Sequence, residues 1–273
     1  MHTRGRPSTV LRAGRVPHRS MDPTRRFSNR VQDYARYRPG YPPQVLETMQ
    51  RECGLTAEAV IADVGCGTGI LSRLLCDAGN RVFGVEPNAA MLDAARKSLR
   101  DCAHFVAVLG KAEATTLKAG LVDLVTAAQS FHWFEPREAH REFVRILKPG
   151  GWVVLLWNER RMDATPLMTA YEQLLVRFGV DYHKVKPLWN KNSLPEFFGK
   201  GGFREETFDN PQTLDRHGLT GRVLSASYMP HRGHPSFPPM LGVIDNLFDE
   251  YQSGGLVRLE QETRMFYGKL GVT

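Results

Sequence analysis

Nothing in this chain of 273 residues comes near the run of about 20 apolar residues needed to cross a bilayer. The expectation is therefore a protein with no membrane partner. Cysteine is scarce: Cys53, Cys66, Cys76 and Cys102 are the only four, with no metal-ligand spacing and no secretory context. Reduced thiols in a cytoplasmic protein follow, and no metal site. Acidic residues are absent from residues 1–20, which hold Arg4, Arg6, Arg12, Arg15 and Arg19. Five of the seven surplus positive charges thus sit in that stretch, and residues 21–273 are close to neutral. So even a balance argues against a nucleic-acid partner. Pro7, Gly14, Pro17 and the lack of apolar periodicity predict a disordered basic tail over 1–20. An Arg-rich targeting peptide is the alternative, and Met21 is a second possible start of translation. No internal repeat and no linker divides the remainder, so residues 21–273 read as one domain.

What is present is an alternation of strands and helices. Val60-Ile61-Ala62-Asp63-Val64 is a β-branched run that enters the glycine turn Gly65-Cys66-Gly67-Thr68-Gly69 and leaves as the amphipathic Ile70-Leu71-Ser72-Arg73-Leu74-Leu75. Val82-Phe83-Gly84-Val85 is a second strand, ending in Glu86, a carboxylate placed to accept hydrogen bonds from both hydroxyls of a ribose. A helix over 89–100, a strand over 104–108, a strand over 122–127, a helix over 136–147 and the apolar run Trp152–Trp157 follow. Five strands separated by helices imply a parallel, doubly wound α/β sheet with its ligand over the carboxyl ends of the strands. Beyond 160 the pattern is coarser: a helix over 164–179, strands near 203–208 and 261–270, and a helix near 238–251 between them. Ahead of the core, Val31, Tyr34 and Tyr37 have helical spacing and Pro39-Gly40 ends that helix. Two readings fit its tyrosines, helix packing or a lid over the glycine loop.

The NAD fingerprint is Gly-x-Gly-x-x-Gly, whereas this loop is Gly-x-Gly-x-Gly. With Asp63, Glu86, the Ala112-Glu113 pair and the Leu147-Lys148-Pro149-Gly150-Gly151 turn, it resembles the class I S-adenosylmethionine-dependent methyltransferases, specifically the type-11 methyltransferase domain, over roughly residues 45–160. Three shorter stretches, Tyr37 to Pro42, Gln129 to Phe134 and Ser225-Ala226-Ser227-Tyr228, resemble the trans-aconitate-methyltransferase-like branch. The resemblance implies a Rossmann-like, mostly parallel seven-stranded sheet, a cofactor-binding core over 45–160, and helical lid elements over 27–43 and 160–240.

The resemblance also implies S-adenosylmethionine as cofactor. Asp63, Gly65, Gly67 and Gly69 would hold its methionine part, with Cys66 in the same loop, and Glu86 its ribose. Pro87 and Asn88 would lie beside the adenine, Ala112 and Glu113 would flank its amine, and Gln129 would sit beneath the sulfonium. A solvated surface acid is the other reading of Glu113.

The expected reaction is methyl transfer to a small-molecule acceptor, at a carboxylate or hydroxyl oxygen. The Asn/Asp-Pro-Pro-Tyr signature of enzymes that methylate amines of bases or glutamine is absent after the fourth strand. Tyr34, Tyr37, Arg38, His132, Trp133 and Tyr228 are the expected substrate and lid residues. His132 follows the fourth strand and titrates near neutrality, which makes it the candidate base; packing of the cofactor pocket is the other reading. Arg36, Arg38, Arg160 and Arg161 lie near predicted strand ends and suit a carboxylate, beside the reading that each is simply solvated. Two alternatives stand against the enzyme: a non-catalytic cofactor-binding relative, and an NAD-dependent oxidoreductase, which the glycine spacing disfavours.

Overall fold

The computed structural model describes residues 31–185 and 191–271. The basic tail expected over 1–20 and the start of the segment expected over 27–43 lie outside these residues. Helix α1 (Val31–Tyr37) stops ahead of Pro39-Gly40, as its sequence predicts. Pro43 opens α2 (Pro43–Cys53), where a missing N–H costs no hydrogen bond, and Gly54 closes it in the left-handed region. Then β1 (Val60–Val64), α3 (Ile70–Asp77), β2 (Arg81–Glu86), α4 (Ala89–Ser98), β3 (Phe105–Leu109) and β4 (Val122–Ala128) alternate. The series continues through α5 (Pro136–Ile146), β5 (Leu147–Arg160), α6 (Pro166–Phe178), α7 (Tyr182–Val185) and α8 (Leu194–Phe198). It finishes with β6 (Arg204–Asp209), β7 (Gln212–Leu214), α9 (Arg216–Leu224), α10 (Phe237–Tyr251), β8 (Val257–Leu259) and β9 (Gln261–Gly268).

Seven strands form one sheet in the order β3-β2-β1-β4-β5-β9-β6. The first five run parallel, and β9 is antiparallel to both of its neighbours. Strand order reverses between β1 and β4, which opens a crevice at their carboxyl ends. Side chains of β5 alternate between two cores: Val153, Leu155 and Trp157 join one, Val154 and Leu156 the other. Helices α5 and α8 cover the first face, α2 and α3 the second. No helix among the described residues is long and apolar enough to cross a membrane.

Three features depart from the sequence reading. Lys148-Pro149-Gly150-Gly151 is not a free turn after α5 but a bulge within β5, between the pairs Val122–Leu147 and Leu124–Trp152. Gly151 is required there because a Cβ would lie 2.9 Å from the Asp123 carbonyl oxygen. Second, β7 and β8 pair as a separate antiparallel ribbon. Third, α9 forms where the sequence shows no helical periodicity. Its glycines, Gly218 and Gly221, depress helix propensity, but Asp215 caps it by accepting the Gly218 N–H at 2.6 Å. Around α9 a third core gathers α6, α10 and β8, apart from both sheet faces.

Gly221 is where α1 docks: a Cβ there would meet the Tyr37 ring at 2.3 Å. Gly221→Ala would gain about 1 kcal/mol of helix propensity but lose ~2–3 kcal/mol to overpacking, because the buried ring has no room to retreat. A net loss of about 1–2 kcal/mol is expected, read as a lower urea midpoint; an equal or higher midpoint would show that α1 does not rest on this contact.

Candidate functional site

The glycine loop takes its shape from two constraints. Gly65, Gly67 and Gly69 all have φ between 58° and 84°, a region costly for residues with a Cβ. At Gly65 a Cβ would also strike Ser130, 2.5 Å away. Beneath the loop the Asp63 carboxylate accepts the hydroxyls of Ser72 at 2.6 Å and Thr126 at 3.0 Å, joining β1 to α3 and β4. Burial pushes its carboxyl up to about 6, against the pull of those two hydrogen bonds.

A cavity of about 280 Å³ opens over this loop. Glu86 ends β2 at its wall, taking the Gly67 N–H on one carboxylate oxygen (3.0 Å) and the Asn88 N–H on the other (2.9 Å). Each oxygen keeps a second acceptor position, and burial raises the carboxyl above its ordinary range. Asp63, Gly65, Cys66, Gly67, Glu86, Pro87, Ala112, Glu113 and Gln129, all among the residues expected at the cofactor, line this cavity. Glu113 is not a merely solvated acid, since it accepts the Glu135 N–H at 2.8 Å.

Two of the expected residues do other work. Gly69 is not in the lining; it turns the chain into α3, where a Cβ would meet Leu99 at 2.7 Å. Asn88 caps α4, accepting the N–H groups of Ala90 and Met91. Sequence reasoning missed Thr68, Met91, Lys111 and Phe134. Thr68 was in plain sight inside the loop, and its buried hydroxyl has no partner. A carboxylate with spare lone pairs, a lone hydroxyl and a left-handed glycine cradle together fit a nucleoside cofactor.

A second cavity, of about 340 Å³, adjoins the first, and Tyr34, Tyr41, Ile70, Gln129 and Trp133 line both. Gln129 stands at this junction in the left-handed region (φ 57°) and donates from Nε2 to the Asn158 carbonyl at 3.1 Å. That backbone conformation is one that residues with a Cβ rarely adopt. The second chamber also contains Arg38, His132 and Tyr228, three of the expected substrate residues. Burial takes His132 down to about 4, and its Nδ1 is buried with no partner. Tyr37, by contrast, lines neither chamber; its hydroxyl meets His217 Nε2 at 2.6 Å and its ring holds α9. Arg161 is committed to Asp209 and Glu262, and Arg36 lies over the Tyr37 ring, so neither belongs to the site. Arg160 does, together with Trp157 and Arg222, which sequence reasoning missed. Trp157 closes a readable strand, whereas nothing near Arg222 in the chain marks it.

Asp63 and His132 have opposite pH signatures. Asp63 goes from an ordinary 3.8 to about 6, so as pH rises through that window the unfolded chain loses its proton first and stability falls. His132 goes from 6.5 to about 4, so as pH falls through that window the unfolded chain gains a proton first and stability again falls. The two slopes offset each other. Asp63→Asn removes only the first, so its stability relative to wild type should grow by about 3 kcal/mol between pH 4 and 7. Urea unfolding at both pH values reads this difference, and a gap that does not change with pH would refute the burial of an ionisable Asp63.

Residues 62–155 match the family model described as a methyltransferase domain. An uncharacterized methyltransferase of Schizosaccharomyces pombe is 35% identical over 154 residues, 55% of this chain and 59% of that protein. One from Mycobacterium bovis is 39% identical over 134 residues, 49% of this chain and 52% of that one. The alignments thus span little more than half the length of these relatives. Among solved structures, a Haemonchus contortus phosphoethanolamine N-methyltransferase bound to S-adenosylhomocysteine shares the fold at TM-score 0.53 and 14% identity, over 90% of this chain and 58% of that one. The glycine cradle, the Glu86 carboxylate and the strand order agree with the family match: residues 62–155 form a methyltransferase domain of the class I type, whose cofactor is S-adenosylmethionine.

Proposed function

We propose that this protein is an enzyme that methylates an oxygen atom of a small molecule held in the second chamber. The observation that carries the reading is the junction at Gln129, where a cofactor-type cavity adjoins a second one and shares its wall. Bound S-adenosylmethionine would supply an electrophilic methyl group on a sulfonium whose leaving group is already activated. The work left to the chain is alignment and exclusion of water. Glu86 would take the ribose hydroxyls on its two spare acceptor positions. Asp63, the loop from Gly65 to Gly69 and the lone Thr68 hydroxyl would seat the methionine end. Pro87, Ala112 and Glu113 would border the adenine, and Gln129, fixed through Asn158, would sit at the methyl.

The chemistry of His132 supports oxygen. Held near 4, the imidazole is neutral at physiological pH and its partnerless Nδ1 is a free acceptor or donor, according to tautomer. As an acceptor it would take the proton of a hydroxyl as the oxygen attacks; a carboxylate acceptor would need no base. Trp133, with Tyr34 and Tyr41, would form the dry wall between the chambers. The helical core of α6, α9 and α10 would then be the substrate-side cap of the same domain, an extension of the 160–240 lid region.

Calorimetric titration with S-adenosylmethionine and S-adenosylhomocysteine tests the cofactor half. Glu86→Ala should weaken binding by about 1–3 kcal/mol, since ribose hydroxyls would be left unpaired; undiminished affinity would remove Glu86 from the site. Turnover of methyl-labelled cofactor against small acids, phenols and amines tests the acceptor half. With a hydroxyl acceptor, His132→Asn should lower kcat by about 10²-fold or more. With a carboxylate acceptor it should change kcat little, and the rate of wild type should show no inflection near pH 4 that the substitution removes. Turnover confined to amines would overturn the oxygen reading.

A further inference from the structure

Three guanidinium groups converge on the second chamber: Arg38 from the end of α1, Arg160 from the end of β5 and Arg222 from α9. In each, Nε is buried and has no hydrogen-bond partner. An Nε–H with its neighbouring Nη–H is the edge that grips a carboxylate or phosphate in bidentate fashion, so on each arginine half of that fork lacks a partner. Their other contacts hold the groups in place. Arg38 donates through Nη2 to the Ser225 carbonyl at 3.2 Å and stacks over Tyr34 at 4.9 Å. Arg160 donates through Nη2 to the Tyr182 hydroxyl at 2.9 Å.

Arg222 has the least support. It is 4% exposed, and burial lowers its guanidinium to about 10, helped by the like charges of Arg38 and Arg160. The charge count in the chamber is unbalanced. Glu172 pairs with Arg160 at 3.3 Å, and Glu159 in the chamber wall pairs with Arg264 at 3.4 Å. Among the described residues no carboxylate forms an ion pair with Arg38 or Arg222. A buried charge with no counter-ion destabilises the fold that carries it, and a hydrophobic residue of similar volume would serve packing better. Two uncompensated guanidiniums beside a methyl-transfer chamber point to a ligand that brings the missing charge.

We propose that Arg38, Arg160 and Arg222 form a dianion-binding subsite that anchors a non-reacting acidic part of the acceptor, either a phosphate or a pair of carboxylates. This rests on the methyltransferase reading for the identity of the chamber, but the subsite itself is a property of the three arginines. Anchored there, an acceptor would present a second group toward Gln129 and His132, and amines carrying only positive charge would be repelled.

The test uses the full chain saturated with S-adenosylhomocysteine, with Trp133 and Trp157 in the chamber wall as fluorescent reporters. Inorganic phosphate and succinate are titrated at pH 8, against acetate and chloride at matched ionic strength. A saturable response to a dianion, at least tenfold tighter than to acetate, is expected; whichever of phosphate and succinate binds more tightly identifies the source. Arg222→Met should lose that response at least tenfold while S-adenosylhomocysteine affinity stays within twofold and Tm is unchanged or higher. If Arg222→Met does not fold, Arg38→Gln, on a half-buried side chain, must show the same selective loss. A weak, unsaturable response shared by all four anions overturns the proposal, as does a dianion response that survives both substitutions. Dianion binding without any binding of S-adenosylhomocysteine would instead overturn the methyltransferase reading and leave the subsite standing.

Discussion

The hydrogen bonds of one buried carboxylate underlie the rest of the cofactor site. Asp63 lies at the strand-order reversal, where β1 has β2 on one side and β4 on the other. Its two oxygens take hydroxyls from α3 and from β4, so the turn between β1 and α3 is tied down at both ends. With those ends fixed, Gly65 to Gly69 have no freedom to relax into ordinary backbone. Their left-handed conformation becomes a rigid cradle. Glu86 completes it by accepting the Gly67 N–H, linking the end of β2 to the same loop. Burial opposes ionisation of both carboxylates, and the backbone and hydroxyl donors around them offset only part of that cost.

The second chamber is assembled differently. It has no motif of its own and borrows from α1, from the turn after β4, from the end of β5 and from α9. Tyr37 is the joint that makes it possible. By filling the space above Gly221 and bonding to His217, it holds α1 against α9 and so brings Arg38 and Arg222 to one cavity. Tyr37 thus shapes the chamber through packing, without lining it. The two chambers meet at Gln129, whose strained backbone is paid for by the Leu156 carbonyl that accepts its N–H and the Asn158 carbonyl that accepts its side chain.

Legibility of the site in the sequence follows the same division. Gly65, Gly67, Glu86 and Ala112, which line the first cavity, were readable because they stand in turns at strand ends, where the sequence signature and the lining are the same few residues. Gly69 and Asn88 sat in the motif but serve the helices that follow, since a loop feeding a helix needs a left-handed entry and a cap as much as it needs a ligand contact. Helix α9 was hidden by Gly218 and Gly221, residues that lower helix propensity and are kept because Asp215 and Tyr37 need the room. Arg222 was hidden with it.

Taken alone, then, the sequence determined the doubly wound sheet and most of the lining of the cavity over the glycine loop. Hydrophobic periodicity and left-handed glycines are local constraints, written wherever they act. Only the tertiary structure decided which arginines share a chamber. Arg36 and Arg161 look no different from Arg38 and Arg160 along the chain, but the former reach ring and carboxylate partners at the periphery while the latter are turned inward. Burial, and the absence of an ion pair to Arg222 among the described residues, are set by neighbours far apart in the chain.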